Sequence, residues 1–562
     1  MSDCKEQVYS NDYYDFIISY GEVVTIPTTG ACTQRIAEEY DALYYPREGL
    51  PELAIEEYTY MVIPKCYALL DESALQASGI LQMQNQPALQ LRGTGVIVGI
   101  VDTGIDYRNP LFRFSDGSTR ITRIWDQSIQ DGTPPAGIIY GAEYNSETIN
   151  QALASENPYE IVPSRDENGH GTFLAGVACG GEDAPNEFIG AAPNAEIAVV
   201  KLKEAKPYLR DFFFVPEGVP AFQENDIMMA VAYLNALAII RNMPLVICIG
   251  LGNAMGSHGK DGPLTGFLNF IATRRMRCVV TATGNEANAR HHFQGQLGAD
   301  MEQEDVEISV EEDMDGFFVE LWAAAPELYA VSVISPTGEQ LPRVPVRSGT
   351  SEEFNFIFEG TTVTVDYRIE AREAANQLIF FRFVKPRRGL WTIRVFPQNT
   401  VTGLYNLWLP MLQLTAGNVF FLRSNPDITL TSPGSARQVI TAGGYNAANG
   451  SIFSDSGRGF TVSGEIKPDF AAPAVNVSGP GLRNNYVTYT GTSAAAAITA
   501  GACAQIMQWA LVDGNMPTLS NAGIKNMLIR GARTTGDRSY PNREWGYGAL
   551  DVYRAFQVLQ SS

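Results

Sequence analysis

Histidine is scarce in this chain. Four occur among 562 residues, His170, His258, His291 and His292. A proton carrier working near neutral pH is most often histidine, so the candidates are few. Cysteine is also sparse. Its seven positions, 4, 32, 66, 179, 248, 278 and 503, are scattered and never form a C-x-x-C pair. That pattern predicts neither a disulfide framework nor a cysteine-rich zinc site. Cys248 and Cys278 lie in the apolar runs LVICIG and RCVVTAT, where a thiol serves as a small buried hydrophobe. Positive charge is in deficit, with Lys+Arg 40 against Asp+Glu 62 and a net charge of −22. This argues against the dense positive field of a nucleic-acid binder, and no nucleic-acid partner is expected. No run reaches the roughly 18–20 uninterrupted apolar residues of a membrane span. The nearest mimic, Ser493 to Val512, is interrupted by Gln505 and Gln508 and is read as a buried helix. The N-terminal MSDCKEQVYSNDYYDF lacks the basic and apolar regions of a secretory signal, which predicts cytoplasmic synthesis.

At about 150 residues per domain the length allows three or four units. With 45% apolar and 18% charged residues, wholesale disorder is excluded. Residues 1–70 read as a small α+β unit. DFIISY, EVVTIP and EEYTYMVIP have strand character there, and CTQRIAEEYDALYY has helical spacing. Residues 71–292 alternate strands such as VIVGIVDTGID, AEIAVVKL, PLVICIGLG and MRCVVTATGNEA with the long helical pattern NDIMMAVAYLNALAIIRN. This rhythm predicts an α/β, doubly wound parallel sheet, whose working residues gather at the carboxyl ends of strands. Residues 293–426 replace it with VEISV, GFFVELWA, YAVSVIS, TTVTVDYRIE, QLIFFRFV and LWTIRVFP. That segment predicts an inserted antiparallel β-sandwich, a jelly roll. The α/β pattern resumes over 427–562. The acidic run MEQEDVEISVEEDMDG lacks the spacing of a calcium-binding EF-hand loop and is read as a solvated edge of the insert. No metal and no cofactor is expected.

The chemistry-bearing residues are few. His170 sits in DENGHGTFLAGVACG, between glycines that allow a tight turn and before a stretch able to form a helix. The adjacent His291 and His292 are read as a surface loop. Asp102 closes the buried run VIVGIV. A carboxylate there is costly unless paired, and orienting a histidine through its Nδ1–H satisfies it. Ser493, in YTGTSAAAAITAGACAQIM, lies on a turn entering an alanine-rich helix. Its hydroxyl is left accessible by small neighbours, and the helix N-terminus favours developing negative charge. Asn285 in TATGNEA can donate an amide N–H to an oxyanion. Each residue alone has an ordinary structural explanation, as cap, turn or core group. In the order Asp, His, Asn, Ser they form a constellation.

That constellation resembles the subtilisin-like serine proteases, whose triad runs Asp, His, Ser along the chain. The matching motifs are VGIVDTGID, NGHGT-x-x-AG, VVTATGNE and GTS-A-A-x-x-x-x-AG, with LVICIGLG and EWGYGALDVYRA in support. The resemblance implies Asp102 as the carboxylate orienting His170, His170 as general acid–base, Ser493 as nucleophile and Asn285 as oxyanion donor. It further implies that Gly250, Leu251 and Gly252 pair with an extended peptide substrate and that Gly284 lines the primary specificity pocket. The N-terminal unit, the insertion carrying SDGSTRITRIWDQSI and the β-insert resemble the clostridial Csp germination proteases. This implies a prodomain that is cut off autocatalytically within 66–75 (CYALLDESAL), stays bound, and precedes an enzyme that processes a protein zymogen in the spore. Two departures stand out. Ala497 and Ile498 occupy positions where the family usually has proline and histidine, and Gly250 stands where serine is common. A catalytically silent subtilase acting as a scaffold therefore remains the alternative to an active endopeptidase.

Overall fold

The structure, a computed structural model, describes residues 4–20, 31–70, 78–84, 90–259, 262–298, 301–370 and 376–561. Near the N-terminus, strand Tyr13–Ser19 pairs antiparallel with Tyr40–Pro46, which pairs antiparallel with Cys32–Arg35. The helix expected over CTQRIAEEYDALYY is thus a hairpin. Its burial alternates along Cys32–Arg35, and the Ile36 and Ala37 amides turn onto the Tyr40 carbonyl. Tyrosine-rich segments gain from cross-strand packing, which here overrides a helical spacing. EEYTYMVIP, expected as a strand, is a series of turns that reaches the sheet through the Ile17 N–H to Val62 carbonyl bond. EVVTIP lies outside the described residues. A disulfide joins Cys4 to Cys32, a cross-link that scattered cysteine spacing did not announce. It ties the helix Cys4–Tyr9 to the hairpin.

The body is built on a sheet of nine strands among the described residues. Its centre is Ile97–Asp102, parallel to Leu245–Ile249 on one side and Glu196–Lys201 on the other. Arg277–Ala282 and then Ile440–Asn446 continue it in parallel. Ile97–Asp102, Leu245–Ile249 and Arg277–Ala282 are buried at every residue, as continuous apolar strands covered on both faces must be. Helix Thr492–Met507 is buried at every residue too. The segment read as a membrane mimic is therefore a core helix, and its alanines let it pass close to the strands. Helices Glu224–Arg241 and Pro263–Thr273 contribute to a second core cluster together with Ile97, Val101, Leu245 and Val279.

The insert consists of two antiparallel sheets, of six and four strands among the described residues, sharing one core that includes Val306, Phe317, Phe381, Trp391 and Leu407. The acidic run is not an edge. Glu304–Val310 pairs with Gly389–Asn399 on one side and Val419–Phe421 on the other. Its apolar residues Val306, Ile308 and Val310 point into the core while acidic ones alternate outward, so charge there follows the strand period of two.

Candidate active site

Asp102 ends the central strand and is fully buried. Its Oδ1 accepts from the Thr103 N–H at 2.8 Å and lies 2.7 Å from His170 Nδ1. His170 opens helix His170–Cys179 behind Gly169, whose φ of +98° is a left-handed conformation suited to glycine. Gly171 allows the helix to approach the loop after Asp102, because a Cβ there would lie 2.3 Å from the Gly104 carbonyl oxygen. Asp166 fastens this corner. Its Oδ2 accepts from the N–H and hydroxyl of Thr172, and its Oδ1 from the Gly169 N–H and the Thr103 hydroxyl. The Thr103 hydroxyl oxygen in turn accepts from the Gly171 N–H. Asp102 and His170 are therefore tied through one buried carboxylate.

Ser493 is the second residue of its helix and fully buried. Asn285 Oδ1 accepts from both the N–H and the hydroxyl of Thr492, at 3.1 and 3.0 Å. Two donors on one end of the side chain fix its orientation, so the Asn285 amide nitrogen is the opposite end.

A length of this chain's own backbone lies across these groups. Cys66–Leu69 pairs antiparallel with Leu251–Gly252 on one side and with Phe222–Gln223 on the other. The Leu70 N–H donates to the Gly250 carbonyl at 3.1 Å. The Leu70 carbonyl oxygen accepts from the Ser493 N–H at 3.1 Å and lies 3.4 Å from His170 Nε2. Gly250 has no room for the more usual side chain. A Cβ would lie 2.5 Å from Leu174 Cδ1, 3.2 Å from His170 Cε1 and 3.3 Å from Ser493 Cβ. Gly252 and Gly284 flank Thr431, whose Oγ1 would lie 2.5 Å from a Cβ at either. Gly252 also adjoins Leu70 Cδ1.

The structure thus brings Asp102, His170, Ser493, Gly250, Leu251 and Gly252 around Leu70, with Asn285 beside the serine through Thr492 and Gly284 beside Gly252 through Thr431. His291 and His292 are not on a surface loop. They are 4% and 1% exposed and hold the insert to the body. His291 Nδ1 donates to the Pro410 carbonyl, and His292 stacks on Trp408, as does His258. Burial pulls all three down to about 4. Sequence reasoning missed Asp166, Thr492 and Thr431. The first two stand inside quoted motifs, but an aspartate before a turn and a threonine before a serine have many ordinary explanations.

A family model described as "Subtilase family" matches residues 93–334 and 413–548. The structure of the Clostridium perfringens CspB protease superposes with a TM-score of 0.77 at 30% identity, covering 86% of this chain and 96% of that one. A C5a peptidase of Streptococcus pyogenes is 22% identical over 507 residues, 83% of this chain. The chain spans 40% of that peptidase's length. The membrane-bound transcription factor site-1 protease of Mus musculus is 30% identical over 161 residues, 26% of this chain and 15% of that protein.

Proposed function

From the premise that this chain belongs to the subtilase family of subtilisin-like serine endopeptidases, we propose that Ser493 cleaves the chain's own Leu70–Asp71 bond and then protein substrates. His170 Nε2 takes the Ser493 hydroxyl proton as Oγ attacks the Leu70 carbonyl carbon. Asp102 holds the imidazole by Nδ1 and stabilises its charged form. The resulting oxyanion is met by the Ser493 N–H and the Asn285 amide. His170 returns the proton to the departing Asp71 nitrogen, and water, deprotonated by the same imidazole, releases Leu70 as a carboxylate.

The observation that carries this reading is the Leu70 carbonyl oxygen, placed 3.1 Å from the Ser493 N–H with the preceding residues paired as a strand. On this reading residues 1–70 are a prodomain that remains docked, and residues 293–426 a jelly-roll insert bracing the body. The resemblance to the Csp proteases supports a protein zymogen as the substrate and a spore setting. A silent, scaffolding subtilase is the second reading. It is favoured by the Ser493 Oγ, which is buried and without a hydrogen-bond partner among the described residues, and by Ala497 and Ile498. Intact mass and fluorophosphonate labelling separate the two. The first reading expects fragments ending at Leu70 and beginning at Asp71, with one label per chain that is lost in Ser493→Ala. An uncut, unlabelled chain sinks it.

A further inference from the structure

The docked strand is also a template for what the site selects. Tyr67, four residues before the bond, is 1% exposed. Its hydroxyl lies 3.4 Å from Ser432 Oγ, which is 3.3 Å from Thr265 Oγ1. Ser432 is held in place by Asn253, whose own Oδ1 accepts from the Met255 N–H. The Asn253 N–H donates to the Ser432 carbonyl and the Ser432 N–H to the Asn253 carbonyl, at 3.0 and 2.8 Å. This bridge directly continues the Gly250–Gly252 strand on which the peptide lies. Around these polar groups the surroundings are apolar, with Tyr67 in a core cluster that includes Phe222, Leu251 and Leu264.

We propose that Ser432, backed by Asn253, forms a tyrosine-reading subsite, so that this enzyme's protein substrates carry tyrosine four residues before the cleaved bond, as in Tyr67-Ala68-Leu69-Leu70. The proposal rests on the reading of Ser493 as nucleophile and Leu70–Asp71 as the bond cut. Its physical basis is the penalty for a missing partner. A phenylalanine fills the same space but leaves the Ser432 hydroxyl with Thr265 alone for a partner, whereas a tyrosine adds the phenol. Burial pushes the phenol well above its ordinary range, so it is the neutral hydroxyl that is recognised.

The test uses the full chain after self-cleavage, both fragments present, with active sites counted by fluorophosphonate. The peptides acetyl-Tyr-Ala-Leu-Leu-aminomethylcoumarin and its phenylalanine counterpart are then compared. Wild type is expected to favour tyrosine about tenfold in kcat/KM, the cost of one buried unmade hydrogen bond. Ser432→Ala is expected to shrink that ratio below about threefold, because it removes the partner of the tyrosine hydroxyl and, with phenylalanine bound, the unmet hydroxyl as well. A labelled enzyme that cleaves the phenylalanine peptide equally well, or neither peptide, overturns the tyrosine reading alone, as does a tyrosine preference that survives Ser432→Ala. A chain that is neither cut at Leu70–Asp71 nor labelled overturns the nucleophile assignment and this proposal with it.

Discussion

The carbonyl oxygen of Leu70 sits 3.1 Å from the backbone nitrogen of Ser493 and 3.4 Å from the Nε2 of His170. Strand pairing supplies this placement. Antiparallel bonds from Ala68 and Leu69 to Gly252 and Leu251 fix the register, and a one-residue slip would carry the wrong carbonyl to the serine. The same pairing leaves Leu69 half-buried while Cys66, Tyr67, Ala68 and Leu70 are enclosed. If the bond after Leu70 is the one cut, selection falls on four side chains of the five.

The first prediction concerns the other oxyanion donor. Thr492 grips the Asn285 carbonyl end, so Asn285→Ala removes the amide aimed away from Thr492 together with the acceptor of the Thr492 N–H and hydroxyl. Turnover should fall about 10²–10³-fold, a magnitude established for this donor in subtilisin, with KM little changed. Self-cleavage followed by intact mass should slow in proportion. An unchanged rate would show that the Ser493 N–H alone stabilises the charge.

Asp166 carries the second. It touches no reacting atom but joins the loop after Asp102 to the start of the His170 helix through Thr103, Gly169 and Thr172. Asp166→Ala leaves several buried donors unsatisfied at about 1–3 kcal/mol each before relaxation. We expect slower fluorophosphonate labelling, by tenfold or more, with peptide KM held near wild type because the Gly250–Gly252 edge is untouched. A fall in thermal stability with labelling unimpaired would restrict Asp166 to a purely structural role.

Much of this was legible beforehand, and the reasons differ by region. The central strands were visible because they are buried on both faces and so read as unbroken apolar runs ending in Asp102, Ile249 and Ala282. Asp102, His170, Asn285 and Ser493 were visible because each stands at a strand or helix end amid glycines or small residues. The N-terminal hairpin was not, since its 3.6-like spacing coincides with tyrosines that pack across strands at Tyr40, Tyr44 and Tyr45. The docked strand was hidden for another reason. CYALLDESAL has the composition of any short apolar segment, and its meaning comes from pairing with Leu251–Gly252, about 180 residues on. The buried state of His291 and His292 is likewise a product of contact with Pro410 and Trp408, more than 100 residues later.

The third prediction is a pH dependence. Glu286 follows Asn285 and is fully enclosed. Its Oε2 accepts from the Leu412 N–H, with His291 Nδ1 at 3.9 Å and Asp455 the other charge facing it. Burial pushes its carboxyl up to about 7 from 4.5. The folded chain therefore holds a proton between those values that the unfolded chain has released, and stability declines as pH rises from about 4.5 to 7. The full penalty, on the order of 3 kcal/mol, is present above pH 7. Glu286→Gln keeps the shape and an acceptor for Leu412 and never ionises. Its melting temperature should match wild type near pH 5 and exceed it at pH 8. A difference that does not grow with pH would refute the assignment.

The last prediction asks what would hold residues 1–70 in place after the proposed self-cleavage. Lys206 Nζ meets Asp15 Oδ1 at 2.5 Å and the Gln7 carbonyl at 2.8 Å, both groups being buried. Asp15 Oδ2 accepts from Gln223 Nε2, and its N–H donates to the Tyr208 hydroxyl. Burial draws the Lys206 ammonium below its ordinary range while Asp15 works against that fall. Such a pair contributes little compared with two well-packed apolar residues, but removing one member strands a charge at about 3–5 kcal/mol. Lys206→Met should therefore weaken retention of the small fragment by 10²-fold or more. The double variant Asp15→Leu, Lys206→Met should hold it better than Lys206→Met alone, because no charge is left without its counterpart. Size-exclusion chromatography of the self-cleaved chain reads both. If the double variant loses the fragment more readily than either single one, the ion pair is an attractive latch in its own right, and the argument from stranded charge fails.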